Sequence, residues 1–236
     1  MESELRKLMG QANQAREDGK FLESLELTDQ ATLECQKQKD LVALAEVQTT
    51  RVLTFRLLFD QDEDKNWLIL AKHAAMSAVE IAETSGNPEA LALPYSHLAR
   101  AYMELNQYPE AVKYFQLALT EIVAHPPAVH NRPGVVADFK IHLAIAQYLA
   151  GDKTALDQAE KAIKELETSG EDKVSDYNYH VWLSGAHMRV AEMLKDDDSA
   201  KAKEHLQKAK EIIDSDSRLS LRLAQWQKLA KTIISS

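Results

Sequence analysis

Three aspartates in one short run have the spacing of calcium ligands. Asp60, Asp62 and Asp64 match the first positions of an EF-hand loop, which supplies oxygen ligands at alternate residues. The match then ends, because Lys65 stands where that loop requires glycine and Ala71 where it requires a bidentate glutamate. We interpret the run as a solvated loop between helices, since isolated acidic runs usually lie at the surface.

Histidine and cysteine are the other side chains that could bind a metal or act as a nucleophile. His180 and His187 share one face of a predicted helix but lie two turns apart, too far to bind one ion without a third element. Cys35 is the only cysteine, which excludes an intrachain disulfide and a cysteine-based zinc site and favours a cytoplasmic location. We predict that Cys35 is a small core residue and that the chain has no metal site.

The sequence shows no arrangement of nucleophile, base and orienting group. It contains no GxSxG motif, no glycine-rich phosphate loop and no dinucleotide fingerprint. We therefore rank an enzyme below a binding protein, and we expect no cofactor.

Helices must position whatever site the chain has. Glycine (7) and proline (6) are too scarce in 236 residues for an all-β protein with many tight turns, and 45% apolar residues suffice for a core. Apolar residues recur every three to four positions, which predicts eleven helices. Their predicted ranges are 2–17, 21–38, 40–59, 64–85, 88–105, 109–124, 133–150, 153–169, 173–194, 198–214 and 216–234.

Residues 88–124 carry the best-defined pattern. An aromatic residue, a Leu-Ala pair and a Tyr lie on one helix, and an Ala-Phe-Ala set lies on the next. The set comprises Tyr95, Leu98, Ala99, Tyr102, Ala111, Phe115 and Ala118. Small residues at Ala99 and Ala111 allow two antiparallel helices to cross closely. This pattern resembles the tetratricopeptide repeat (TPR) family.

The resemblance recurs along nearly the whole chain. Five predicted second helices carry an alanine at the matching position, namely Ala31, Ala78, Ala118, Ala162 and Ala209. Their spacing of 40 to 47 residues exceeds the simple TPR period and is similar to extended-helix relatives such as the repeats of kinesin light chains. The resemblance implies an all-α fold: an α-solenoid of about five antiparallel helix pairs plus a C-terminal capping helix over 216–234, on which we expect Arg222 to face water. We expect one repeat domain over 1–236, with a joint at the proline-rich segment 125–134.

In the TPR family the first helix of each pair lines a concave face that binds an extended peptide or a partner helix. The resemblance carries over to a candidate peptide-binding groove of nine residues: Asn13, Arg16, Ser96, Arg100, Met103, Glu104, Ile145, Tyr148 and His187. Arg100 has two interpretations here. It either pairs with Glu104 one turn along the helix or anchors a carboxylate of the partner.

Charge restricts the class of partner. Lys and Arg total 28 against 37 Asp and Glu, a net charge of −9, so we expect neither nucleic acid nor a membrane, which attract basic patches. The resemblance implies a non-catalytic scaffold that binds a protein or peptide. The alternative is a peptide-responsive regulator that changes shape on binding. The identity of the partner and the oligomeric state stay open.

Overall fold

A computed structural model describes residues 4–169 and 176–234. Within those ranges the secondary structure is helical, and the chain divides into two compact units, Met1–Ala128 and Val129–Ser236. The first unit contains α1 (Glu4–Glu17), α2 (Phe21–Gln38), α3 (Leu41–Asp62), α4 (Lys65–Ser85), α5 (Ala92–Glu104) and α6 (Tyr108–Ala124). The second contains α7 (Pro133–Leu149), α8 (Ala155–Glu167), α9 (Tyr177–Leu194), α10 (Ser199–Ser215) and α11 (Ser220–Ile234).

Local sequence explains most helix ends. Asp40 and Asp64 cap the starts of α3 and α4, where their side chains accept hydrogen bonds from backbone N–H groups of the first turn. Gly86 ends α4 with a φ of 68°, a left-handed conformation that suits glycine. Pro88 opens a short 3-10 turn rather than α5, which therefore begins at Ala92, later than predicted. The predicted start of α9 at 173 lies outside the described residues.

Consecutive helices pack as the expected pairs, α1 with α2 through α9 with α10. The five repeat alanines, Ala31, Ala78, Ala118, Ala162 and Ala209, are all at most 2% exposed. In the best repeat, Ala99 and Ala111 are completely buried and Phe115 is 1% exposed. The predicted register of the pairs is confirmed, because small side chains let the paired backbones approach and larger ones fill the space beside them.

The last helix, α11, packs against α9 and α10 of the second unit. Leu219 and Ile233 are buried, while Leu223 and Trp226 pack partly buried against a cluster that includes Met188. This contact agrees with a capping helix, but α11 starts at Ser220 rather than 216. The expectation that Arg222 faces water is wrong, because its guanidinium group reaches the backbone of α9.

Among the described residues, no helix is long and apolar enough to cross a membrane.

Candidate functional site

The first helices of the three pairs in the first unit lie side by side. Helix α3 contacts both α1 and α5, so the three form a row, called here the α1–α3–α5 row. Five of the nine predicted groove residues belong to this row and keep some exposure. They are Asn13 and Arg16 on α1, and Arg100, Met103 and Glu104 on α5. The sixth residue of this unit, Ser96, is only 3% exposed, so its prediction as an open groove position is wrong.

Glu104 joins two helices of the row. Its Oε1 accepts a hydrogen bond of 2.6 Å from Nε of Arg56 on α3, and an Nη of the same guanidinium also pairs with it. Arg56 was absent from the predicted site, because it lies 48 residues before Glu104 in the sequence and on a different helix pair. The structure thus gives Glu104 a partner on another helix of the row.

His97 lies at the centre of the positive charge in this row. Burial, and then the charges of Arg100, Arg56 and Arg16, hold its pKa well below the ordinary value. His97 is therefore neutral near pH 7, because a proton on its ring would be desolvated and repelled by three guanidinium groups. Sequence reasoning missed this residue, since a histidine next to the buried Leu98 carries no separate signal.

The row encloses polar atoms of His97 and Glu104 that have no hydrogen bond within the described residues. The atoms are Nδ1 of His97 and Oε2 of Glu104, and the two residues lie seven positions apart along one face of α5. A buried polar atom without a partner is costly, and such atoms in a folded protein call for an explanation. A ligand that supplies those hydrogen bonds would be one.

Arg16 is oriented from its own helix. Its guanidinium donates to Asn13 Oδ1 at 3.0 Å and to Glu17 Oε1 at 3.1 Å, and the side chain is 13% exposed. Three arginines of the α1–α3–α5 row, Arg16, Arg56 and Arg100, thus act on a neutral histidine. Planar guanidinium groups suit the carboxylate or carbonyl oxygens of a bound peptide. We call Arg16, Arg56, His97, Arg100 and Glu104 the arginine cluster.

The predicted groove residues of the second unit are buried, which contradicts their assignment to an open surface. Ile145, Tyr148 and His187 are 2%, 5% and 3% exposed. The hydroxyl of Tyr148 donates to Asp197 at 2.6 Å, and Nδ1 of His187 lies 2.9 Å from Nδ1 of His205 on α10. Tyr148 and His187 contact other groups of the second unit, so these side chains do not line an open groove.

The aspartate run and Cys35, which the sequence analysis considered as metal ligands or a nucleophile, make contacts typical of structural residues. Asp62 accepts hydrogen bonds from Trp67 Nε1 at 3.0 Å and from the backbone of Asp64. Burial raises the pKa of the Cys35 thiol to about 11, and Cys35 is 1% exposed, as expected of a core residue. In the part of the chain that the structure describes, no three His, Cys, Asp or Glu side chains come together in a group that could hold a metal ion.

Solved structures with TPR-like repeats match this chain, whereas no family model and no curated protein does. One is a Podosopora anserina chain provisionally described as a kinesin light chain with nearly identical TPR-like repeats. It is 17% identical over 91% of this chain and 95% of its own, with a TM-score of 0.57. A point variant of that protein is 18% identical over 100% of both chains, again with a TM-score of 0.57. The chain thus has the all-α fold of TPR-like repeats.

Proposed function

We propose that this chain is a non-catalytic protein-interaction scaffold that binds an extended acidic segment of a partner protein on the α1–α3–α5 row. TPR-like folds are used mostly for protein–protein interaction, which supports the general class. The finer proposal rests on one observation. The arginine cluster combines three guanidinium groups with enclosed polar atoms that make no hydrogen bond within the described residues, His97 Nδ1 and Glu104 Oε2.

The chemistry of the cluster favours a peptide over a simple anion. Guanidinium N–H groups can donate to a carboxylate or to a main-chain carbonyl, whereas Oε2 of Glu104 can only accept. A peptide supplies both kinds of partner, because its acidic side chains accept and its amide N–H groups donate. The net charge of −9 argues against nucleic acid as the partner, since phosphate backbones bind to extended basic surfaces.

Selection from a display library of random twelve-residue peptides tests the proposal. We expect peptides selected on the wild-type chain to be enriched in Asp and Glu, and selection on an Arg56→Gln, Arg100→Gln double variant to lose that enrichment. A double variant of two lysines outside the row, Lys113→Gln and Lys208→Gln, controls for loss of positive charge. Acidic enrichment that persists without Arg56 and Arg100, or no enrichment at all, would contradict the proposed site.

A further inference from the structure

Gly185 lies in the middle of α9, in a position where a helix normally avoids glycine. Glycine in a helix interior is unfavourable, because it gives up more conformational freedom than any other residue. Gly185 has an ordinary helical conformation, so no left-handed φ requires it. Its reason must be space, and the structure shows what occupies that space.

Two guanidinium groups lie against the position that a side chain at residue 185 would take. A Cβ atom at residue 185 would lie 3.1 Å from Nη1 of Arg189 and 3.3 Å from Nη2 of Arg222. Arg189 comes from the next turn of α9, and Arg222 comes from α11. Because Gly185 has no side chain, two like charges can lie close together over the backbone of α9.

Each of these arginines is held by groups of the second unit. Nη2 of Arg189 lies 3.4 Å from Oδ1 of Asp138 on α7. Arg222 donates from Nη2 to the carbonyl oxygen of Val181 at 3.3 Å and from Nη1 to Gln225 Oε1 at 2.8 Å. These contacts fix both guanidinium groups, so the N–H donors over Gly185 have a defined arrangement.

The best repeat shows what stands at these positions elsewhere in the chain. Alignment of Ala186 with Ala99, both completely buried, places Gly185 at the position of Leu98 and Arg189 at that of Tyr102. In α5 these positions hold an apolar and an aromatic side chain. In α9 the first position is glycine, which has no side chain, and the second is a cation.

We propose that Arg189 and Arg222, converging over Gly185, form an oxyanion site that binds a carboxylate or phosphate group of a ligand. Paired guanidinium groups bind both oxyanions through parallel N–H···O hydrogen bonds. Asp138 already compensates part of the charge of Arg189, and an anion between the two arginines would reduce the remaining repulsion between them. This site lies in the second unit and is independent of the arginine cluster.

Amide NMR of Gly185 tests the site. Its N–H donates to the carbonyl of Val181 in the regular helix pattern, and Arg222 donates to that same carbonyl, so an anion on Arg222 changes the Gly185 signal. We would titrate nitrogen-15-labelled full-length protein with sodium acetate and, separately, with sodium phosphate, at constant ionic strength. We expect a saturable shift at Gly185 and none at Gly10 in α1, whose Cβ position has no neighbouring atom within 4 Å. If acetate saturates the Gly185 shift at the lower concentration, the ligand group is a carboxylate; if phosphate does, it is a phosphate.

Three variants separate binding from structure. Arg222→Gln should weaken the apparent affinity at least tenfold, and Arg222→Lys, which keeps the charge without the fork, should weaken it less. Lys113→Gln in the first unit should leave the affinity unchanged, and because the signal is read at Gly185, failure of this site and failure of the proposed function are distinguishable. Absence of a saturable shift in the wild-type chain, or an equal shift in folded Arg222→Gln, would overturn the proposal.

Discussion

At the scale of single residues, we expect the buried histidine pair to make the second unit sensitive to acid. Burial, followed by the charge of His205, lowers the pKa of His187 to about 3, and the pKa of His205 is also lowered, chiefly by burial. Their Nδ1 atoms are 2.9 Å apart, so one ring donates and the other accepts while both are neutral. Protonation breaks that complementarity and places a charge where water is excluded.

The pH dependence of unfolding should therefore have a defined sign. The folded pKa of His187 lies below the unfolded value of 6.5, so its contribution to stability is complete above pH 6.5 and is lost as the pH falls toward about 3. We expect His187→Gln, which cannot titrate, to reduce the loss of unfolding free energy between pH 7 and pH 5 by about 1 kcal/mol per pH unit at most. Urea unfolding at several pH values measures this slope. An unchanged slope would mean that His187 titrates normally.

At the scale of helices, the sequence predicted what repeats locally and missed what meets across the fold. Ala99, Ala111 and Phe115 were predicted correctly because a helix pair forms from residues close in sequence, with a period of three to four. The partners Arg56 and Glu104, 48 residues apart, were not predicted, since no local pattern relates residues on different pairs. Likewise, the water-facing assignment of Arg222 failed because the space that it enters is created by a glycine on another helix.

The close crossing of α5 and α6 gives the first prediction at this scale. Ala111 is completely buried, so Ala111→Leu should overpack the crossing and lower the free energy of unfolding by about 1–3 kcal/mol. Ala224→Leu on the exposed side of α11 makes the same chemical change at the surface and should be nearly neutral. Chemical denaturation of both variants measures the difference. Equal effects would show that Ala111 is not at a tight contact.

The anchoring of α11 gives the second prediction at the scale of helices. Trp226 is half-buried, packs against the cluster that includes Met188 and Leu219, and donates from Nε1 to the carbonyl of Leu206 at 2.9 Å. Trp226→Ala should therefore lower the free energy of unfolding by about 2 kcal/mol. Truncation of a fully buried aromatic residue usually costs more, about 3–5 kcal/mol. Deletion of 216–236 should additionally promote association, because it exposes Met188 of α9 and Ile213 of α10 to water or to another copy. Thermal melts measure the stability and light scattering measures the association. If neither the melting temperature nor the association state changed, α11 would not be a capping helix.

At the scale of the whole molecule, a negative net charge coexists with a local group of arginines. The chain carries a net charge of −9, yet the α1–α3–α5 row brings Arg16, Arg56 and Arg100 around His97. Our proposal of an acidic segment as the partner follows from these arginines, since guanidinium groups attract carboxylates whatever the sign of the net charge. Because these arginines are largely enclosed, their contacts are screened by salt less than exposed charges are.

The affinity of a selected acidic peptide for two charge-reversal variants tests the central claim most directly. Arg100→Glu changes the charge within the arginine cluster, whereas Lys113→Glu makes an equal change on the surface of α6. With folding verified by circular dichroism, titration calorimetry should show Arg100→Glu weakening binding at least tenfold, a loss of about 1.4 kcal/mol. Lys113→Glu should remain within about twofold of wild type. Equal affinity of the wild-type chain and a folded Arg100→Glu variant would contradict the claim that the α1–α3–α5 row binds the partner.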